Sequence, residues 1–398
     1  MEDVREYAAA LTVEDLDRDP YPVYARLRRE APVAWVPAVG LWFVTRWRDV
    51  ERVATDTESF TAALDDSPLD HSFGSPTILT VDGDVHMELR RSLDAKYRPR
   101  AVASYIDDLV GPLVEERIAA LRGRDRAELM TEYFEPISVL SLGRVLGLGD
   151  LPADTLRSWF SRLSDGATNF EKDPRKQARS DGAAREIDQH VGALMTRLAT
   201  APDDSTVSHM LHTAMPPGRC RAREFVMPSF KVILLGGMQE PGHGGGTVVA
   251  GLLASPGQAA AVRADLDEMV PRAVEEGLRW VAPIGTQTRQ TAREVELAGV
   301  TLPAGAPVAA VVSSASRDEE LFDAPDTFNV FRAGRNHHAA FGFGRHFCTG
   351  HAFARHQLRL ALRGLLEAFP NLRLDPEHPP VFRGWEFRAP RNLDVLLS

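Results

Sequence analysis

Cysteine is nearly missing from this chain: 398 residues contain two, Cys220 and Cys348. One possible bridge in so long a chain would be a weak staple, so a disulfide-built secreted scaffold is not expected, and a reducing cytoplasm is. Long hydrophobic runs are also missing. A stretch such as Val-Ile-Leu-Leu at 232–235 falls far short of the ~20 residues that a membrane-spanning helix needs. Residues 1–19 alternate acidic and apolar side chains without a signal-like apolar core. No membrane partner is therefore expected. Basic residues are in deficit, 46 Lys and Arg against 56 Asp and Glu, for a net charge of −10. Phosphate binding needs the opposite balance, so no nucleic-acid partner is expected either. No internal repeat, low-complexity tract or Pro/Ser-rich linker divides the chain, and residues 1–398 read as one domain.

What is present is an ordinary globular composition, 44% hydrophobic and 26% charged, enough to bury a large core. Residues 33–45 predict a β-hairpin turning at 38–40. Helical periodicity dominates 102–147, where Tyr105, Leu109, Leu113 and Ile118 recur, and it resumes over 183–198. A polar loop is expected at 201–219, then a long apolar helix over 225–253 and another over 257–281. Short strands are predicted at 295–300 and 307–312, with a last helix over 350–369. The fold class is mainly α with small β-sheets.

The sharpest signal is Phe341-Gly342-Phe343-Gly344-Arg345-His346-Phe347-Cys348-Thr349-Gly350. Two glycines allow a tight turn that other residues would strain. A strongly periodic helix follows at once, with Leu358, Ala361, Leu362, Leu365 and Leu366 on one face. Cys348 is thereby placed at a helix N-terminus, where free amides and the dipole favour a thiolate. Such a thiolate is a good ligand for haem iron, because it pushes electron density toward bound dioxygen. Cys220 has no comparable surroundings and reads as structural.

This loop resembles the haem-binding signature of the cytochrome P-450 family, Phe-x-x-Gly-x-His/Arg-x-Cys-x-Gly, at Phe341, Gly344, His346, Cys348 and Gly350. The resemblance extends over essentially the whole chain. It implies the cytochrome P-450 fold, a single triangular domain, with haem b as cofactor, Cys348 as the iron ligand and Gly350 beside it. Glu276-Gly277-Leu278-Arg279 resembles the family's Glu-x-x-Arg pair, expected as a buried structural ion pair. His86 and Arg90, followed by Tyr97-Arg98-Pro99-Arg100, resemble its His-x-x-x-Arg clamp for the haem propionates, and Arg289 and His346 complete a set of four partners. The segment from Arg317-Asp318 through Phe322 and Pro325 to Phe328 resembles the family's approach to the cysteine loop.

One stretch departs from the pattern. Above the iron the family has Ala/Gly-Gly-x-Asp/Glu-Thr, whose acid and alcohol organise proton delivery. Here Gly236-Gly237-Met238-Gln239-Glu240-Pro241 puts Gln239 in place of the acid and Glu240 in place of the alcohol. Pro241 lacks an amide for the Gly237 carbonyl and would cost a regular helix about 3 kcal/mol, and each following glycine about 1 kcal/mol more. A kinked or opened helix is predicted there. Gln239 and Glu240 are the candidate catalytic residues, Glu240 as replacement proton source or as substrate anchor.

The family layout implies a substrate pocket containing Leu235, Gly236, Ile284, Trp385 and Phe387, an apolar set equally suited to core packing. The expected activity is oxidation of a small-molecule natural product, such as a cyclic dipeptide or polyketide, by oxygen insertion or by radical coupling of an aromatic substrate. Electrons would come from ferredoxin and ferredoxin reductase. The stripe His351, Arg355, Arg359 and Arg363 is a candidate docking face for that acidic partner. The altered acid–alcohol pair leaves a second reading open, a haem protein that senses a ligand or gas without turnover.

Overall fold

A computed structural model describes residues 3–332 and 338–398. Val33–Val36 and Leu41–Val44 pair antiparallel, Val33 opposite Val44, around a turn closed by the Gly40 amide on the Val36 carbonyl (3.0 Å). Leu41–Val44 then runs parallel to Pro307–Ala310, which pairs antiparallel with Gln287–Thr291, and Phe60–Thr61 closes the edge. This five-stranded sheet packs against the N-terminal helices Tyr21–Glu30 and Trp47–Thr55, and three smaller sheets of two or three strands complete the β content. Most of the remaining regular structure among the described residues is helical.

The helical core forms around Glu240–Leu253, which packs on Leu266–Trp280, His351–Ala368 and Glu135–Leu146. Its glycines serve close approach. A Cβ on Gly245 would strike the Phe134 ring, and one on Gly246 the Met130 sulfur. The helical propensity lost at these positions is offset by contact that no larger residue allows. The apolar stretch 225–253 is accordingly two helices, Arg223–Met238 and Glu240–Leu253, interrupted at Gln239 (φ −111°, ψ −23°). Pro241 falls in the first turn of the second helix, where its missing amide has no partner to lose.

Other boundaries differ from the sequence expectation for local reasons. The 102–147 region is not one helical tract. Ile106–Leu121 ends before Gly123, whose φ of +78° turns the chain into the strand Arg126–Glu128 against Asp394–Leu396. The 257–281 helix is broken at Asp265, whose carboxylate accepts from the Glu268 amide (3.1 Å) and starts Leu266–Trp280 afresh. Ser205 caps a helix, Thr206–His212, within the expected polar loop. The 295–300 strand is a hairpin, Val295–Leu297 with Val300–Leu302. No helix among the described residues is long and apolar enough to cross a membrane.

Glu276 and Arg279 are both buried and joined by two parallel hydrogen bonds of 2.8 Å. Arg279 spends its remaining donors on the carbonyls of Ser316, Pro325 and Thr327, while Glu276 also accepts from the Asn329 amide and from Arg332. The pair thus ties the segment before the cysteine loop to the core helix. Arg279→Met is expected to cost about 3–5 kcal/mol in urea unfolding, because it takes two charge-assisted hydrogen bonds from a buried carboxylate, which keeps Arg332 and the Asn329 amide. Adding Glu276→Leu is expected to return part of that loss; a single variant as stable as the parent would contradict the bracing role.

Candidate active site

The cysteine loop is built as its glycines require. Gly342 and Gly344 adopt φ of +70° and +67°, and a Cβ on Gly344 would lie 2.7 Å from the Ala54 carbonyl oxygen. The Cys348 amide donates to the Phe341 carbonyl (2.9 Å), closing the loop on itself, and Gly350 caps His351–Ala368. Cys348 is half-buried and lines a cavity, with Gly350 beside it. Burial pushes its thiol above the ordinary value, against the amides of Gly350 and His351 and the guanidiniums of Arg90 and Arg355. A metal ion bound at the sulfur would favour the thiolate over the thiol.

His86, Arg90, Arg289 and His346 line the same cavity. The rings of His86 and His346 lie 4.1 Å apart, and His346 Nε2 meets Asp82 Oδ1 at 3.0 Å. Within this set of four, one buried nitrogen each of His86 (Nε2), His346 (Nδ1) and Arg289 (Nη2) has no hydrogen-bond partner among the described residues. Burial holds His86 down to about 4 and Arg289 down to about 10. Arg90 is better satisfied, donating to the Phe347 carbonyl (2.9 Å) and pairing with Asp94 (3.1 Å).

Elsewhere on the wall stand Leu235, Gly236, Glu240, Ile284 and Phe387. Among the described residues both Glu240 oxygens are buried without a side-chain partner, and desolvation, opposed by the backbone amides of Gln239 and Glu240, raises this carboxyl to about 8. Gln239 and Trp385 do not line the cavity. Gln239 occupies the helix break, its carbonyl accepting from the His243 amide (2.8 Å). Trp385 turns the other way, stacked on Phe43 with ring centroids 5.8 Å apart, inside the N-terminal core cluster. The sequence reading passed over its neighbour Glu386, which does line the cavity and accepts from the Thr286 hydroxyl at 2.6 Å. A lone acid between Trp385 and Phe387 was the available signal.

A family model described as cytochrome P450 matches residues 264–389. Cytochrome P450 107B1 of Saccharopolyspora erythraea is 31% identical over 374 residues, 90% of this chain and 89% of that protein. The chain belongs to the cytochrome P450 family. A second relative of this P450, the 6-deoxyerythronolide B hydroxylase of the same organism, is 30% identical and covers 91% of this chain and 93% of its own. The solved structure of cytochrome P450 CYP109Q5 from Chondromyces apiculatus superposes with a TM-score of 0.85 at 25% identity, over 98% of this chain and 99% of that one. The P450 fold, mostly helical with small sheets, is thus shared along the chain, and the protein is a P450 monooxygenase with haem as its cofactor.

The residues present fit that cofactor. Buried polar groups left unpaired are costly, and Arg289 Nη2 and His86 Nε2 can each donate into this cavity together with Arg90, while His346 Nδ1 can do so once its ring takes up a proton beside an anion. Two carboxylates such as the haem propionates would satisfy them, as Cys348 would hold the iron. The expected docking stripe behind this site is partly committed inside the protein. Arg355 makes a two-pronged pair with Glu275 (2.7 and 2.9 Å), and Arg363 pairs with Asp267 and Glu367. Arg359 is the freest guanidinium of the set, 4.0 Å from Glu275.

Arg289→Leu separates these roles by sign. It is expected to stabilise the haem-free chain by about 1–3 kcal/mol, because a stranded buried donor disappears. In the haem-loaded protein it is expected to speed haem loss to an apoprotein scavenger. Unchanged haem retention would remove Arg289 from the propionate set.

Proposed function

We propose that this P450 oxidises a small natural product with an apolar body in the cavity between Cys348 and Glu240, by oxygen insertion or oxidative coupling. The chemistry supplied by the haem group, when bound through Cys348, is activation of dioxygen. Leu235, Gly236, Ile284 and Phe387 would hold the apolar body and exclude water. The hydroxylase relative named above, which by its name acts on 6-deoxyerythronolide B, supports a natural-product substrate.

The observation that carries the reading is the unpartnered carboxyl of Glu240 at the helix break. Desolvation keeps it protonated at neutral pH, so Glu240 Oε can hold a proton at the cavity and release it when the reaction calls for one. Gln239 has no such proton, and its position outside the cavity wall leaves it a structural part at the break. Bacterial P450s take electrons from redox partners. For this chain we assign that role to a ferredoxin and its reductase in the cytoplasm, approaching the surface around His351 and Arg359. The sensor reading rested on the missing acid–alcohol pair, and Glu240 fills that gap.

Glu240→Gln is expected to lower product formed per dioxygen consumed by roughly a hundredfold, while substrate still shifts the haem spectrum. In the parent, product yield is expected to fall as pH rises through about 8, where Glu240 loses its proton; the variant should lack that limb. Stability carries the same sign. The unfolded carboxyl ionises near 4.5, so between that pH and about 8 the parent loses up to ~1.4 kcal/mol per pH unit from this group, and Glu240→Gln does not. Coupling equal to the parent would show that the side chain delivers no proton.

A further inference from the structure

Apart from Cys348 and Tyr97, the ionisable side chains on the cavity wall fall into two sets: His86, Arg90, Arg289 and His346, and against them Glu240 and Glu386. The cationic set is the one that fits the haem propionates. Once it is so engaged, the rest of the wall, among the described residues, carries two carboxyls and no cation. Of the two, Glu240 sits at a helix break with no side-chain partner among the described residues, whereas Glu386 has one. The Thr286 hydroxyl donates to its Oε1 at 2.6 Å, and its backbone carbonyl accepts from the Gly285 amide at 2.8 Å. The nearby cation in sequence, Arg388, is turned away onto the carbonyls of Gly384, Asp17 and Arg18 and onto Asp19. Among the described residues, Glu386 has a hydrogen-bond donor but no ion-pair partner, although it is 7% exposed.

We propose that Glu386 anchors a cationic nitrogen of the substrate, a protonated or quaternary amine carried on an apolar body. A carboxylate buried without a counter-charge is costly, and a ligand that brings the counter-charge removes that cost on binding. Phe387 and Ile284, paired across the bridge that frames Glu386, offer the apolar surface next to it. A cation held there is oriented by a single rigid turn of chain rather than by a mobile side chain. This inference rests on the reading of the cavity as the substrate site and adds the substrate's charge to it.

The test compares two probes of equal chain length on the haem-loaded enzyme, decyltrimethylammonium and 1-decanol, by haem spectral titration and by calorimetry. The parent is expected to bind the ammonium roughly ten- to a hundredfold more tightly than the alcohol, the range of a hydrogen-bonded or paired charge. Glu386→Gln is expected to bring the two to near parity, and Glu386→Asp to retain part of the preference. Should Glu386→Gln fail to retain haem, Thr286→Val, which removes the hydroxyl holding Oε1, is expected to shrink the preference instead. Equal affinities in the parent, preference for the alcohol, no binding of either probe, or a preference that survives Glu386→Gln would each overturn the proposal. Failure of the proposed proton delivery would show elsewhere, in the coupling of Glu240→Gln, so the two outcomes are separable.

Discussion

A sulfur must be presented to a cavity from a rigid turn, and the architecture around residues 341–350 follows from that requirement. The turn needs left-handed backbone at Gly342 and Gly344, one of them pressed against the Ala54 carbonyl. Its far end is set by His351–Ala368, and its approach by the chain that Glu276 and Arg279 clamp at Ser316, Pro325, Thr327 and Asn329. A fully buried ion pair gives little net stability over an apolar one. Here it fixes where a long irregular segment enters the site.

The cavity then shows a division of polar groups. Nearly every buried polar atom in a folded protein finds a partner, so the exceptions carry information. Unpaired nitrogens gather on His86, Arg289 and His346, while unpaired carboxyl oxygens gather on Glu240. The first group fits the carboxylates of a cofactor. The second fits proton delivery, and Glu386 adds a second carboxyl to the wall, held by the Thr286 hydroxyl. Apolar side chains such as Leu235, Ile284 and Phe387 provide the low-dielectric surroundings that make each of these groups effective.

Much of this site was legible in the sequence because its constraints are local. The glycine pair, the cysteine and the periodic helix after it are contiguous, and Glu276 and Arg279 sit one helical turn apart. The interruption near Pro241 was legible for the same reason. What the sequence hid was decided by partners far away in the chain. Trp385 is an aromatic next to a cavity residue, yet Phe43, more than three hundred residues earlier, draws it into another core. Arg355 looks like a free surface charge until Glu275 is seen beside it. The glycines after Pro241 read as helix weakeners, and only the positions of Phe134 and Met130 reveal them as points of close packing.

The central claim is that Cys348 supplies the thiolate that holds the haem. The reduced carbon-monoxide spectrum tests it most directly, recorded for the parent and for Cys348→His. The account expects a thiolate-type Soret band in the parent and its loss on substitution, since imidazole donates far less electron density to the iron. The same thiolate-type band in Cys348→His would contradict it.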